Sequence, residues 1–582
     1  MRALGAIVGI PQGVKGAAAV NGRGTTPDGR RPGANRRLTR AIAGGVPAGI
    51  PSEAPMARGY LAIVLHAHLP FVRHPEHRDH LEERWLFEAI AECYLPLVDA
   101  LQRLESDGVP FRLTVSLSPP LAAMLGDELL RGRFEWHMEK IDRLVAREIV
   151  RTRDHAELGP VTEFYARRQT KLWAAWRRIG RDVVGALSAM EARGHVELWT
   201  CGATHAFFPA LVHHPEVVRA QVALAVDSHT RAVGRRPRGI WLPECGYAPG
   251  VDKVLVDHGI AYTALETHAL LDASPRPRSG TAEPVITSAG LSCFGRDVEA
   301  SRQVWSKDEG YPGDPSYREF YRDVGFDNPE EDVREFVAAD GTRQATGLKY
   351  YRITGPGLGD KRPYDPASAR ERARIHAGNF VFNRAQQARW LADRMDVPPV
   401  VLAPYDAELF GHWWFEGVDF LEEVFRALPA AAADVAPVTL GEYLAENPSH
   451  DLAEPEPSSW GAGGYSGVWL DPVSSWMLRH VDHAIREMAD IVRHHAGSGG
   501  ARERAARRAG RELMLMLSSD WPFLMKTGTA PHYARARFEA HLARFRRLGL
   551  MLHAGQIEEA WLADLEARDN LFPHMDLEWF RG

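Results

Sequence analysis

The sequence predicts an α/β fold of parallel strands with a helical insertion and a helical C-terminal domain. Three observations carry this. Short apolar runs alternate with helical patterns from about residue 59 on, in the order strand, helix, strand. Several of the runs lead into ionisable residues, and polar groups gathered at the carboxyl ends of parallel strands mark the catalytic face of barrel enzymes. After about Phe415 the strand-like runs give way to helical periodicity.

Taken in order, Gly59–Leu69 reads as a strand buried on both faces, and Trp85–Leu101 (WLFEAIAECYLPLVDAL) follows with helical spacing. Phe111–Leu117 (FRLTVSL) alternates as a second strand and stops at Ser118-Pro-Pro. Residues 121–192 form a nearly continuous helical pattern, placed here as an insertion. Strand-like pieces resume at Val196–Thr200, Gly239–Leu242, Ala261–Ala264 and Val400–Ala403. Val304–Tyr364 is long, weakly periodic and rich in aromatics and charges, which marks a functional loop rather than filler. Val418–Leu428, Ser474–His495, Ala501–Ser519 and His532–His553 read as helices. The resulting division is residues 57–425 for the strand-bearing domain and 426–582 for the C-terminal helical domain.

The first 55 residues are rich in Gly, Ala, Arg and Pro, and they show neither helical nor strand periodicity. Residues 1–56 are therefore expected to be disordered or a spurious extension, with translation starting at Met56.

At 582 residues the chain exceeds one compact core. A net charge of −6 gives no basic excess for nucleic acid or an anionic membrane. The arginine-dense stretches Arg502–Arg511 and Arg544–Arg547 lie in helical patterns and read as solvated helix faces. Four widely spaced cysteines form no CxxC pair, which argues against a cysteine zinc site or a disulfide framework and favours a cytoplasmic location. No apolar run approaches the roughly 20 residues of a membrane span.

The chemistry concentrates at strand ends. LAIVLHAHLP ends in His66 and His68, which an i, i+2 spacing points the same way. GIWLPECGY and VLAPYDAELFGHWW each run from a strand through Pro to an acidic residue, Glu244 and Asp406, with aromatics alongside. An isolated carboxylate after a strand is usually a helix cap or loop residue. Two of them among Trp241, Tyr247, Tyr405, Trp413 and Trp414 fit glycoside chemistry instead, where carboxylates flank the bond to be cut. CGATHAFFP adds His205 at a third strand end; alone it reads as a satisfied core histidine, and with His66 and His68 as part of a pocket that hydrogen-bonds sugar hydroxyls. SSWGAGGYSGVW displays Trp460, Tyr465 and Trp469 on a glycine-rich loop without the GK[ST] of a phosphate loop. SSDWPF breaks a helical pattern at Asp520. HxH at a first strand also begins many metal sites, but no lysine or second histidine pair completes one.

These segments, in this order, resemble glycoside hydrolase family 57, and within it the branch of 1,4-α-glucan branching enzymes. The resemblance runs from about residue 57 to the end, through HAHLPFVRHPE, ERWLFEAIAECYLPL, GATHAFFP, WLPECGY, PYDAELFGHWW and SSDWPF. It implies a (β/α)7 barrel with a helical insertion and a C-terminal helical domain. It also implies a retaining mechanism through a covalent glycosyl-enzyme, an α-glucan partner, and no metal or organic cofactor. Carried over residue by residue, Glu244 would be the nucleophile and Asp406 the general acid/base. His66, His68, Trp85, His205, Trp305, Trp413, Trp460, Trp469 and Asp520 would line the sugar site. The branch carries a long loop after the nucleophile, bearing a tyrosine that shields the intermediate from water. Here the corresponding interval is short (SPRPRSG) and holds no tyrosine between Tyr262 and Tyr311. A lid that admits water would favour hydrolysis over transfer, with an α-amylase or 4-α-glucanotransferase as the alternative activity.

Overall fold

The computed structural model describes residues 37–39 and 57–581, apart from 307–308, 339–340, 356, 358 and 360. Eleven strands are found among them: β1 (Arg37–Thr39), β2 (Gly59–Ala67), β3 (Leu113–Leu117), β4 (Val196–Cys201), β5 (Gly239–Trp241), β6 (Tyr262–Leu265), β7 (Val285–Ile286), β8 (Ser292–Gly295), β9 (Val400–Asp406), β10 (Val435–Pro437) and β11 (Ser449–Leu452).

Seven of these make a parallel ring in the order β8-β6-β5-β4-β3-β2-β9. The ring closes where Arg296, just past β8, bridges Leu402 in parallel and the Asp297 N–H donates to the Leu402 carbonyl at 2.9 Å. This is a (β/α)7 barrel. β2 and β9 are buried along their whole length, which explains their unbroken apolar reading.

The sheet runs past residue 425, where the sequence reading ends the barrel. β10 lies parallel to the start of β2, and β11 pairs with β7, which forms a hairpin with β8. Their sequences, VAP and SHDL, are too short to register as strands, and the second is polar.

β1 corrects the reading of residues 1–56 as uniformly disordered. It pairs antiparallel with β11, and the Arg37 guanidinium donates to Glu283 Oε1 at 3.2 Å and sits 3.8 Å from Asp451. A sheet edge offers open N–H and C=O groups, and two buried acids need a cation; composition registers neither. The rest of that segment, including the expected start at Met56, lies outside the described residues.

Between β3 and β4 stand four helices: Pro119–Gly126, Glu128–Thr152, Gly159–Arg178 and Val183–Ala192. Asp127 caps the second, accepting from the Leu130 N–H at 3.1 Å. The helical pattern after β2 is not uniform: Glu83–Ala89 and Leu95–Ser106 are α-helical, with a π turn over Ile90–Tyr94 between them.

The C-terminal helices are Trp476–His495, Gly500–Met516, Asp520–Thr527, Pro531–Ala554 and Glu559–Arg568. The arginine-dense stretches are not simply solvated faces. Arg508 is fully buried against Glu512 (Nε to Oε1, 3.0 Å), and His541 contacts the other Glu512 oxygen at 2.6 Å. Arg544 donates to Asp569 at 2.7 Å. These helices thus pack across a charged core whose members are mutually paired. No described helix is long and apolar enough to cross a membrane.

Candidate active site

The carboxyl ends of the barrel strands open into one cavity of about 610 Å³. All eleven residues carried over from the family resemblance line it: His66, His68, Trp85, His205, Glu244, Trp305, Asp406, Trp413, Trp460, Trp469 and Asp520; Trp241, Tyr247, Tyr405, Trp414 and Tyr465 do not. Its roof comes from Trp460–Ala462 and Val468–Trp469 of the glycine-rich loop, with Phe523 and Lys526 beside them.

Local backbone sets the carboxylates. Glu244 follows β5 with φ 63°, Cys245 follows with φ 50°, and His205 beyond β4 has φ 56°. Left-handed conformations cost non-glycine residues about 1–3 kcal/mol each and persist where the surroundings over-determine them. Here the Glu244 carbonyl accepts from the Trp460 N–H at 2.9 Å, and the His205 carbonyl accepts from the Ser519 N–H at 2.9 Å. The second bond forms because the helical pattern expected over Ala501–Ser519 breaks after Met516, freeing Ser518 and Ser519 to pair along the β4 loop.

The side chain of Glu244 is nearly buried and doubly held. The Trp460 indole N–H donates to Oε2 at 2.7 Å and the Ser519 hydroxyl to Oε1 at 2.9 Å. Burial pushes its carboxyl up to about 7, against the pull of those two donors. Asp406, the last residue of β9, is held well above the ordinary carboxylate range by burial, then by the negative charges of Glu408 and Glu244; Arg296 pulls the other way.

Glu408 and Arg296 escaped the sequence reading, although both line the cavity. Burial pushes Glu408 up to about 7, and it accepts from the Tyr94 hydroxyl and from the His68 N–H at 3.2 Å. The π turn presents Tyr94 to it, with Cys93 Sγ 3.0 Å from the Ala407 carbonyl and Glu92 2.6 Å from His412 Nδ1. Gly411 permits this approach: it has φ 105°, and a Cβ there would lie 1.9 Å from the Glu92 carbonyl. Arg296, beyond β8, donates to Glu266 at 2.9 Å. In the sequence, the second carboxylate of PYDAELF was a visible signal, and so was FGRD after a short strand.

The three histidines are placed together, but their ring nitrogens are engaged by protein groups. His66 Nε2 and His205 Nε2 are 3.0 Å apart, His66 Nδ1 is 3.3 Å from Ser116 Oγ, and His205 Nδ1 is 2.7 Å from Ser519 Oγ. His68 contacts Ser118 Oγ at 2.8 Å and both Asp520 oxygens at 3.2 Å. The expected hydrogen bonds from His66 and His205 to sugar hydroxyls therefore have no free ring nitrogen to make them. The His68 ring stacks on His205 at 3.7 Å, and His66 stacks against Trp241 at 5.1 Å. Burial first, and neighbouring histidines second, drive His66 and His205 well below the usual histidine range, so both are neutral. Burial would raise Asp520, but His68 holds it low.

His66, His205 and Cys201 are close enough to share a cation, their candidate ligand atoms lying within 4.8 Å of one another. A cation there would have to break the His66–His205 hydrogen bond and take up a thiol whose deprotonation burial strongly opposes.

The tryptophans differ from the histidines in this respect. The buried indole nitrogens of Trp305, Trp413 and Trp469 have no hydrogen-bond partner among the described residues. An unpaired buried donor costs about 1–3 kcal/mol, and the indole nitrogens of Trp199, Trp241 and Trp414 stand likewise.

The comparisons with known proteins agree with one another. The model of glycosyl hydrolase family 57 matches residues 62–355, and one for the C-terminal region of 1,4-alpha-glucan branching enzymes matches residues 480–580. A 1,4-alpha-glucan branching enzyme of Thermococcus kodakarensis is 33% identical over 551 residues, spanning 88% of this chain and 77% of that protein. Among solved structures, the alpha-amylase AmyC from Thermotoga maritima superposes with a TM-score of 0.84 at 40% identity, covering 90% of this chain and 99% of that one. The GH57-type branching enzyme from Pyrococcus horikoshii gives 0.81 at 32% identity, covering 90% and 97%. With its barrel, its strand-end carboxylates and these relatives taken together, the chain belongs to glycoside hydrolase family 57.

Proposed function

We propose that this protein is a 1,4-α-glucan branching enzyme, which cleaves an α-1,4 bond and transfers the released chain to a 6-hydroxyl to form an α-1,6 branch. The observation that carries this is the pairing of two buried strand-end carboxylates with a tryptophan-lined cavity, in a chain whose C-terminal region matches that of branching enzymes.

The chemistry is retaining in this reading. Glu244 is the nucleophile, and its two hydrogen-bond donors favour the carboxylate that must attack the anomeric carbon. Asp406 is the general acid/base. Its neighbours Glu408 and Glu244 favour the protonated form that must give a proton to the leaving oxygen. After departure, Asp406 takes the proton of the incoming 6-hydroxyl as that oxygen opens the glycosyl ester. The indole faces of the tryptophans that line the cavity stack on sugar rings. His66 and His205 then act on the glutamate rather than on the sugar. The natural polymer is glycogen or a related α-glucan. Four free, buried cysteines fit a cytoplasmic enzyme.

A second reading is favoured by one observation: AmyC, an alpha-amylase, is 40% identical. The short interval after Glu244 points the same way, since water competes with the glucan acceptor. Incubation with amylose separates the two. Branch points released by a debranching enzyme support branching; reducing ends without branches support hydrolysis. Full turnover by Glu244→Gln would overturn the catalytic assignment in either case.

A further inference from the structure

Behind Glu244 runs a chain of short contacts that ends away from the substrate. Ser519 Oγ lies 2.9 Å from Glu244 Oε1 and 2.7 Å from His205 Nδ1. His205 Nε2 lies 3.0 Å from His66 Nε2, and His66 Nδ1 lies 3.3 Å from Ser116 Oγ. Ser116 is fully buried on β3 and does not line the cavity.

The direction of every bond follows from one charge. An ionised Glu244 has no proton to give, so the Ser519 hydroxyl donates to it. Ser519 Oγ must then accept from His205, which fixes the proton on His205 Nδ1. A neutral His205 has a bare Nε2, which accepts from His66 Nε2–H. His66 Nδ1 is then bare and accepts from the Ser116 hydroxyl. With Glu244 protonated, all four bonds can reverse: Glu244 donates to Ser519, Ser519 to His205 Nδ1, His205 Nε2–H to His66, and His66 Nδ1–H to Ser116. The freed Ser116 hydroxyl has an acceptor already placed, the Thr200 carbonyl at 3.3 Å. The reversed chain holds one proton more, which comes from solvent and resides on Glu244; each histidine keeps one N–H and changes tautomer.

We propose that Ser116, His66, His205 and Ser519 form a directed hydrogen-bond relay whose members are positioning residues for Glu244, keeping a hydroxyl donor aimed at its carboxylate. The proposal rests on the reading of Glu244 as the nucleophile. It assigns the two histidines and Ser116 a task that substrate contact does not explain. The other charged groups facing this centre are Asp520 with His68, and Asp406 with Glu408 and Arg296; Cys201 and Cys245 lie behind it. None of these lies in the chain of bonds, so a change confined to Ser116 reads the relay alone.

The test is the pH profile of kcat/KM on amylose for wild type, Ser519→Ala, Ser519→Thr and Ser116→Ala, each checked for native unfolding. Loss of a hydrogen bond to a charged group corresponds to about 1 pH unit. The acidic limb is expected to rise by about that much in Ser519→Ala, with KM nearly constant; Ser116→Ala takes one bond from the ionised arrangement and two from the reversed one, so its limb is expected to fall, by less than about 1 unit. Ser519→Thr keeps the hydroxyl and is expected to restore the limb. A Ser116→Ala limb coincident with wild type overturns the relay. Should Ser116→Ala fail to fold, neutron diffraction from the wild-type protein above its acidic limb decides the matter. Deuterium on His66 Nε2 and His205 Nδ1 supports the relay, and the opposite tautomers overturn it. An inactive Glu244→Gln with unmoved limbs in the serine variants sinks the relay only, whereas an active Glu244→Gln sinks the nucleophile reading beneath it.

Discussion

The indole nitrogen of Trp460 donates to the Glu244 carboxylate at 2.7 Å, across 216 residues of chain. The tryptophan of the glycine-rich loop is therefore an electrostatic partner of the strand-end glutamate as well as an aromatic surface for sugar.

Trp460→Phe keeps the ring and removes the donor. A hydrogen bond to the charged form lowers a carboxyl pKa, so its loss raises that of Glu244 above its present value of about 7. The acidic limb of kcat/KM, which follows ionisation of the nucleophile, is expected to move up by about 1 pH unit. A pH-rate series on amylose measures it, and an unmoved limb would contradict the electrostatic role.

Glu408→Gln acts on the other carboxylate. The negative charge of Glu408 helps hold the proton on Asp406. Without it, Asp406 releases its proton at lower pH, and the basic limb is expected to fall by about 1 unit. A basic limb shifted upward would show that Glu408 does not act on Asp406 through charge.

Chelation is expected to leave turnover unchanged. His66 and His205 share a proton between facing Nε2 atoms, and the Cys201 thiol is strongly biased against deprotonation. Activity lost on prolonged dialysis against a chelator and regained with zinc would overturn this.

Glu512→Ala strips Arg508 and His541 of their shared buried partner. Arg508 keeps Asp569 at 3.4 Å, so what is lost is hydrogen bonding to a charged group, about 1.5–3 kcal/mol, and the urea midpoint is expected to fall accordingly. A loss below about 1 kcal/mol would place the network among surface-like ion pairs.

Much of the site was legible because strand ends display chemistry in a local window: LHAHLP, WLPECGY and PYDAELFGHWW each carry their ionisable residue just beyond an apolar run. The helix Pro366–Ala392 was not legible, because its buried face is largely alanine (Ala369, Ala373, Ala377, Ala385, Ala388) and leaves little hydrophobic period. β10 and β11 were missed for a related reason, since so few residues carry no period at all.

By itself, the sequence determined the order of the principal barrel strands, the family and most of the residues that meet in the cavity, because periodicity, breakers and motifs are properties of neighbours along the chain. Only the tertiary structure decided what those residues do to one another. It joined His66 to His205 and His205 to Ser519, gave Glu244 its two donors and set Glu408 against Asp406. It also bound Arg37 to the edge of the sheet. Hydrogen bonds and charge interactions fall off within a few ångströms of space, and separations of hundreds of residues become such distances only when the barrel closes.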